Sequence, residues 1–168
     1  MKHSTEINDL VMERAASYIK EGMTEKQIAD FIDAEYLKEG ASGVSFDTIV
    51  CFGANAADQH HTPSETRTLK AGECILIDMG CVWHGYCSDM TRTVVVGKAN
   101  DKQKEIYNTV LKAQTTAIDA IKAGMKCSEV DGVARKIITD AGYGENFGHS
   151  LGPVSYTHLR AHETRGNL

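Results

Sequence analysis

The chain has 168 residues, with 18 Lys and Arg against 23 Asp and Glu and a formal net charge of −5. Hydrophobic residues make up 42% and charged residues 24% of the chain, a balance typical of a folded globular protein rather than a disordered one. The negative charge and the lack of a basic tract exclude electrostatic attraction to nucleic acid or anionic lipid. No apolar run approaches the ~20 residues that a membrane span needs.

The cysteines and the amino-terminal segment indicate a cytoplasmic protein. Charged residues interrupt the first 20 positions, so no secretory signal is predicted. The cysteines are odd in number, lack Cys-x-x-Cys spacing and are interpreted as small reduced thiols. They are Cys51, Cys74, Cys81, Cys87 and Cys127.

Two helices are predicted before any strand. Ser4 is the expected N-cap of the first helix, whose apolar residues recur at helical spacing from Ile7 until Gly22 ends the pattern. Thr24 begins a capping-box pattern with Gln27, in which each side chain satisfies the other residue's backbone N–H. This pattern predicts a second helix, which ends near residue 40.

The middle third of the chain changes to the composition of strands. Residues 46–52 and 73–79 are apolar runs that predict two buried strands, separated by a polar segment at 53–68. Residues 81–87 and 90–96 alternate or are β-branched, which favours neighbouring antiparallel strands.

The last third returns to helical patterns. Asn100 and Gln103 resemble a capping box before a helix that ends by Gly124, and Ser128 is the expected cap of a fourth helix closed by Gly142. Helices, then strands, then helices predict an α/β protein of the α+β type rather than strict strand–helix alternation.

Two aspartates are the first candidates for chemistry. If the hairpin is centred between Trp83 and His84, Asp78 and Asp89 lie directly opposite each other on paired strands. Opposed carboxylates repel, and a hard divalent cation turns that repulsion into attraction. An alternative stays open, in which both aspartates cap turns or pair with Arg92.

Three histidines in glycine-rich or polar segments are further candidates. His60 and His61 precede the strand of Asp78, and a histidine near two carboxylates can orient substrate, donate to an oxyanion or shuttle a proton. His149 lies beside Gly148, which allows close backbone approach. The alternative for each is an ordinary solvated loop histidine.

A series of short segments forms a further pattern, which consists of Ser45–Val50, Gly53–Ala57, His60–His61, Gly72–Glu73, Ile77–Gly80, Gly85–Thr93, Ile106–Tyr107, Val110–Leu111, Gly142–Gly144 and Phe147–His149. In consistent order over most of residues 1–152, these segments resemble the catalytic domain of the creatinase/aminopeptidase P/prolidase metallopeptidases. The Gly85–Thr93 block looks more like the prolidase and aminopeptidase P branch than like the methionine aminopeptidases.

The resemblance implies a pita-bread fold and a centre of two divalent metal ions, manganese or cobalt, with zinc possible. It implies an Xaa-Pro dipeptidase or aminopeptidase whose substrate is a proline-containing peptide or dipeptide, in a protein that can form a homodimer. Asp78 matches the ligand of one ion and Asp89 the ligand that bridges both. His61 matches a catalytic, substrate-binding histidine, and His149 matches a substrate-binding histidine that is not a ligand.

The chain departs from this family after Gly152. The family's ligand histidine falls on Pro153, and Glu163, the only later glutamate, matches neither of the two ligand glutamates. We therefore expect residues 1–152 to be a partial catalytic domain, the first half of the fold with part of the second, and residues 153–168 to be a non-native tail. A family amino-terminal domain is also expected before this point, unless the protein is a single-domain variant.

Three functions follow as hypotheses. The first is a metal-dependent exopeptidase that, as the chain is written, is inactive or nearly so because three of the family's five ligands are missing. The second is a metal-free binding module, and the third is a creatinase-like amidinohydrolase that works without metal. Retention of both Asp78 and Asp89 disfavours these two alternatives.

Overall fold

The computed structural model describes residues 2–58 and 60–151. The chain divides into two compact units, Met1–Asn100 and Asp101–Leu168, and each is described by itself. Within the described residues, no helix combines the length and apolar character needed to cross a membrane. The predicted tail at 153–168 lies outside the described residues.

Helix α1, Lys2–Tyr18, begins and ends earlier than the sequence predicts. Ser4 is not the cap, because it lies inside the helix and is almost completely buried. The apolar stripe is as predicted, with Ile7 and Val11 buried. The helix stops at Tyr18, short of Gly22, which has a φ of 86° in the turn that follows.

Helix α2, Glu25–Lys38, starts where the capping box predicts. The Gln27 amide N–H donates to Thr24 Oγ1 at 3.2 Å, and the Thr24 N–H donates to Gln27 Oε1 at 2.9 Å. Gly40, at φ 82°, follows the helix in the left-handed conformation that glycine adopts without strain.

Among the described residues of the first unit, six strands form two antiparallel sheets. The sheet β2–β3–β6 consists of Ile49–Phe52, Cys74–Met79 and Met90–Val95 in that order. The sheet β1–β4–β5 consists of Gly43–Val44, Cys81–Trp83 and Tyr86–Cys87, the β4 strand lying in the middle. The predicted strand at 46–52 is shortened to β2, and the predicted strand at 81–87 is a hairpin of two short strands.

The β2–β3–β6 sheet has one face in the hydrophobic core. Alternate β3 residues, Ile75, Ile77 and Met79, are buried in the same cluster as the apolar stripes of α1 and α2. The intervening residues of β3, including Asp78, are only partly buried. Cross-strand partners share a face, so Asp78 lies on the face away from the core together with its partners Ile49 and Thr91.

The second unit begins with two helices, α3 at Asp101–Ala120 and α4 at Cys127–Asp140, whose buried residues include Ala113, Ala117, Ala134 and Ile138. Helix α3 begins directly after Asn100, as its pattern predicts. The predicted Ser128 cap is wrong by two positions. Lys126 is the N-cap, and its N–H donates to Glu129 Oε2 at 2.7 Å.

Candidate active site

Asp78 is the polar residue of an otherwise apolar strand. Its Oδ1 accepts a hydrogen bond of 2.7 Å from Thr91 Oγ1, the hydroxyl of its cross-strand partner. Partial burial raises the pKa of the Asp78 carboxyl, and the charge of Asp89 raises it further, while the hydrogen bond from Thr91 opposes both. The negative charge of Asp78 is therefore only partly compensated by the hydrogen bond from Thr91, and the carboxylate of Asp89 lies near it.

Asp89 is near Asp78 but does not oppose it directly, so the predicted register is wrong. The turn of the hairpin is His84–Gly85, with φ values of 50° and 80°, and Trp83 pairs with Tyr86. A two-residue turn with both φ values positive matches the twist of the flanking strands. The hairpin centre thus lies one residue later than predicted, and Asp78 faces Thr91 instead of Asp89.

The backbone beside Asp89 is packed closely against Gly80. A Cβ atom placed on Gly80 would lie 2.1 Å from the Ser88 carbonyl oxygen and 2.3 Å from Ser45 Oγ. Ser45 Oγ donates to that same Ser88 oxygen at 2.7 Å, and Ser88 Oγ donates to the buried Asn8 Oδ1 at 2.9 Å. These contacts fix the chain position from which Asp89 extends.

The Glu25 pocket is a second cluster in the first unit, and sequence reasoning missed it. We define it as Glu25 with its four donors, Phe52, Asn55, His61 and Ser64. The Glu25 side chain is completely buried at the first position of α2. It accepts hydrogen bonds from Phe52 N at 2.7 Å, Asn55 Nδ2 at 2.8 Å, His61 Nε2 at 2.7 Å and Ser64 N at 2.9 Å.

These four donors control the ionisation of Glu25. Burial alone would raise the pKa of the Glu25 carboxyl, but the hydrogen bonds from His61, Ser64, Phe52 and Asn55 together outweigh it and hold that pKa below its ordinary value. The only sequence signal was an acidic residue in the first turn of a capped helix. Such residues are usually exposed, and the donors come from distant parts of the chain.

Cys51 is affected by charges from both the Glu25 pocket and the aspartate face, which we define as Asp78, Asp89 and Thr91. Burial raises the pKa of the Cys51 thiol to about 11, and the negative charges of Glu25, Asp58 and Asp78 add to that effect. Both carboxylate clusters are therefore close enough to Cys51 for their charges to act on it. Among the predicted residues of the first unit, the structure brings Asp78 near Asp89 and places His61 against Glu25.

His60 and His149 have different surroundings from His61. His60 is exposed, and its backbone N–H donates to Asp58 Oδ1 at 3.1 Å. His149 belongs to the second unit, where its carbonyl accepts from Arg135 Nη2 at 2.8 Å and its ring lies against Phe147. The role expected for His149 in substrate binding stays a prediction.

The aspartate face fits part of a metal site. Carboxylate oxygens suit hard divalent cations, and a cation would relieve the repulsion that Asp89 exerts on Asp78. A complete site needs four to six ligands, and the described residues contain no group of three or more His, Cys, Asp or Glu side chains placed to hold an ion. Pro153, which stands at the position of the family's ligand histidine, and Glu163, which matches neither ligand glutamate, lie outside the described residues.

The fold is that of part of a pita-bread peptidase domain. Residues 1–165 match the model of Metallopeptidase family M24. The chain therefore belongs to the M24 metallopeptidase family, as the sequence motifs indicate.

Relatives and solved structures agree with this assignment. An uncharacterized peptidase of Staphylococcus aureus is 42% identical over 172 residues, which cover 100% of this chain and 49% of the relative. The Xaa-Pro dipeptidase of Bacillus anthracis superposes with a TM-score of 0.85 and 42% identity, over 89% of this chain and 42% of that one. The X-Pro aminopeptidase of Thermotoga maritima superposes with a TM-score of 0.83 and 40% identity, over 86% of this chain and 41% of that one. The chain spans about half the length of the curated relatives it matches.

Proposed function

We propose that this chain is part of a metal-dependent exopeptidase that hydrolyses the bond between an amino-terminal residue and proline. The observation that carries the proposal is the aspartate face, where Asp78 and Asp89 share one region with Thr91 as the hydroxyl donor to Asp78. Solved structures at 40% and 42% identity are an X-Pro aminopeptidase and an Xaa-Pro dipeptidase, which support this substrate class without choosing between the two.

In this proposal Asp78 and Asp89 are ligands of a divalent metal centre, with manganese or cobalt preferred over zinc. A pair of such ions, when bound, lowers the pKa of water and polarises the scissile carbonyl. Thr91 holds the Asp78 carboxylate in one orientation through its 2.7 Å hydrogen bond. His61, whose ring is anchored on Glu25, is the residue we assign to the substrate carbonyl, and His149 remains a proposed substrate contact.

We also propose a cytoplasmic protein that can form a homodimer, with residues 153–168 as a non-native tail and the 168-residue chain inactive by itself. The alternatives of a metal-free binding module and of a creatinase-like amidinohydrolase are not favoured. Neither explains two neighbouring carboxylates with a single hydroxyl donor to Asp78 on a partly exposed sheet face.

A chimera tests the peptidase activity. Residues 1–152 replace the matching part of the Bacillus anthracis Xaa-Pro dipeptidase, and the release of the first residue from an Xaa-Pro dipeptide is measured with manganese. We expect metal-dependent hydrolysis that falls by at least about 100-fold on Asp78→Ala or Asp89→Ala, because each removes a ligand. Asp9→Ala, on an exposed part of α1, is the matched control.

The outcomes separate the proposals. A folded chimera without activity, alongside an active parent enzyme, would count against the proposed function. Full activity in Asp78→Ala would remove the metal role of that residue. Manganese-dependent hydrolysis by the 168-residue chain alone would contradict only its expected inactivity.

A further inference from the structure

The hairpin that carries Asp78 and Asp89 has a break where it passes from one sheet to the other. Strands β3 and β6 pair in one sheet, and β4 and β5 pair in the other. The two sets of paired residues are separated by Gly80 and Cys81 on one strand and by Ser88 and Asp89 on the other. Regular strand pairing therefore does not fix the direction of Asp89, which depends on the groups that surround the break.

The Ser88 side chain takes the place of the Ser88 carbonyl at this break. Ser88 N donates to the Cys81 carbonyl at 2.9 Å, which is one half of an antiparallel hydrogen-bonded pair. The other half would run from Cys81 N to the Ser88 carbonyl, but Cys81 N donates instead to Ser88 Oγ at 3.1 Å. The carbonyl accepts from Ser45 Oγ at 2.7 Å and lies against Gly80. The peptide between Ser88 and Asp89 is therefore turned out of the ladder, and its orientation sets the direction in which Asp89 extends.

Asn8 determines which way the Ser88 hydroxyl points. Asn8 is completely buried in α1, and its Oδ1 accepts from Ser88 Oγ at 2.9 Å. A hydroxyl has one proton, so donation to Asn8 leaves the lone pairs of Ser88 Oγ for the Cys81 N–H. The Cys81 carbonyl is a second acceptor within reach of Ser88 Oγ, but at 3.3 Å it is the more distant one. Tyr36 OH donates to the same Asn8 Oδ1 at 2.8 Å and so ties the amide to α2 as well.

We propose that Ser88 and Asn8 are positioning residues, which hold the Ser88–Asp89 peptide out of the ladder and so direct the Asp89 carboxylate toward the metal centre that it shares with Asp78. The inference rests on the proposed function, in which both aspartates are metal ligands. The charge of Asp89 acts on Asp78 in this arrangement. Ser88 and Asn8 do not touch the metal ion, and their effect reaches it through the backbone of Asp89. Without the hydroxyl, the Cys81 N–H is free to bond the carbonyl of residue 88, which would turn the peptide back and redirect Asp89.

The first test detects the hydrogen bonds of the break directly, through the NMR scalar couplings that join an amide nitrogen to the carbonyl carbon of its acceptor. The sample is the metal-free 168-residue chain. We expect a coupling from Ser88 N to the Cys81 carbonyl carbon and none from Cys81 N to the Ser88 carbonyl carbon. Ser45 N, which donates to the Gly80 carbonyl at 3.0 Å, is the positive control. Detection of the reciprocal coupling from Cys81 would overturn the proposal, and this measurement needs no substitution.

Ser88→Ala provides the second test, because it removes the hydroxyl and should make the reciprocal coupling from Cys81 appear. Mn²⁺ alone is then titrated into the 168-residue chain, and broadening of the amide signal of Thr91, the cross-strand partner of Asp78, reports its binding. We expect the Mn²⁺ concentration at half-broadening to rise about tenfold, as is usual when a residue that orients a ligand is lost. Asn8→Leu should raise it in the same direction.

Tyr36→Phe is the matched control, because it removes a hydroxyl from the same buried amide without touching Ser88. It should lower stability but leave the Mn²⁺ midpoint unchanged, so the midpoint separates positioning from a merely structural role. Equal midpoints for Ser88→Ala and Tyr36→Phe, together with loss of binding in Asp89→Ala, would overturn the positioning role and leave the proposed function standing. Unchanged binding in Asp89→Ala would instead contradict the proposed function, and with it the metal role of Asp89 that the inference assumes.

Discussion

Glu25 and Asp78 are both carboxylates withdrawn from solvent in the first unit, and they are compensated in opposite ways. Glu25 accepts four hydrogen bonds, and the pKa of its carboxyl lies below the ordinary value. Burial and the charge of Asp89 raise the pKa of the Asp78 carboxyl above its ordinary value, and the hydrogen bond from the Thr91 hydroxyl only partly offsets them. The protein compensates the first charge with its own hydrogen-bond donors, whereas neutralisation of the second is the role that we propose for a bound metal ion.

This difference assigns separate tasks to the two regions. A fully satisfied carboxylate rigidifies its surroundings, and the Glu25 pocket ties α2 to β2 and to the loop of His61. A carboxylate pair with little compensation stores repulsion that a divalent cation releases on binding. Substitutions in the two regions should therefore change the free energy of unfolding by different amounts, and a substitution of Asp78 should raise it rather than lower it.

The largest effect is expected from Glu25→Ala. Removal of the carboxylate leaves buried backbone donors at Phe52 and Ser64 without an acceptor, and each such loss costs about 1–3 kcal/mol. We expect the free energy of unfolding to fall by about 3–4 kcal/mol, measured by urea denaturation with the fluorescence of Trp83, the single tryptophan. Glu21→Ala is the control, and a loss below about 1 kcal/mol in Glu25→Ala would show that the pocket does not stabilise the fold.

Gly80→Ala should have the next largest effect. Its Cβ would overlap the Ser88 carbonyl oxygen at 2.1 Å, so the backbone beside Asp89 must move. Overpacking of this kind costs about 1–3 kcal/mol, and contact with backbone places the loss at the upper end of that range. Gly132→Ala, at a helical glycine of α4 with open space around it, is the matched control and should be neutral or stabilising. Equal stability of the two variants would contradict the close packing at Gly80.

Asp78→Asn is expected to change stability in the opposite direction. In metal-free buffer it removes the repulsion by Asp89 and the burial of a charge, so the free energy of unfolding should rise by up to about 1 kcal/mol. Addition of Mn²⁺ should broaden the NMR signals of Asp78 and Thr91 in the wild type but not in this variant. Asp9→Asn should behave as the wild type does. If the metal-free Asp78→Asn variant were less stable than the wild type, the charge of Asp78 would stabilise the fold as that of Glu25 does, and the proposed difference between the two carboxylates would be wrong.

Local patterns predicted the elements that depend on neighbouring residues. The Thr24–Gln27 capping box placed the start of α2, and the order of helices and strands followed from periodicity. The predicted centre of the hairpin was wrong by one residue, because His84 adopts a positive φ that is uncommon for a residue other than glycine. A small local choice of turn therefore changed which residue faces Asp78.

The Glu25 pocket could not be predicted for a different reason. Glu25 follows a helix cap, and its hydrogen-bond donors lie 27 to 39 residues further along the chain. Nothing in the spacing of those residues marks them as a cluster until the sheet and the loop are formed. His61 was a candidate from its place in the polar segment before β3, and the family resemblance gave it a role, but its partner Glu25 became visible only in three dimensions.

The smallest expected effect is the difference in acid sensitivity between the wild type and Glu25→Gln. Because the pKa of Glu25 is lower in the folded chain than in the unfolded one, its ionised form stabilises the fold above an unfolded pKa of about 4.3. That contribution is lost as the pH falls through the lower, folded value, since protons then bind preferentially to the unfolded chain. A tenfold difference in proton affinity corresponds to about 1.4 kcal/mol, so urea unfolding between about pH 3 and pH 7 should show a flatter profile for Glu25→Gln. Other carboxylates with lowered pKa values, such as Glu73, are common to both proteins and cancel in this difference. Parallel profiles would mean that the four hydrogen bonds do not favour the charged form of Glu25 over the neutral one.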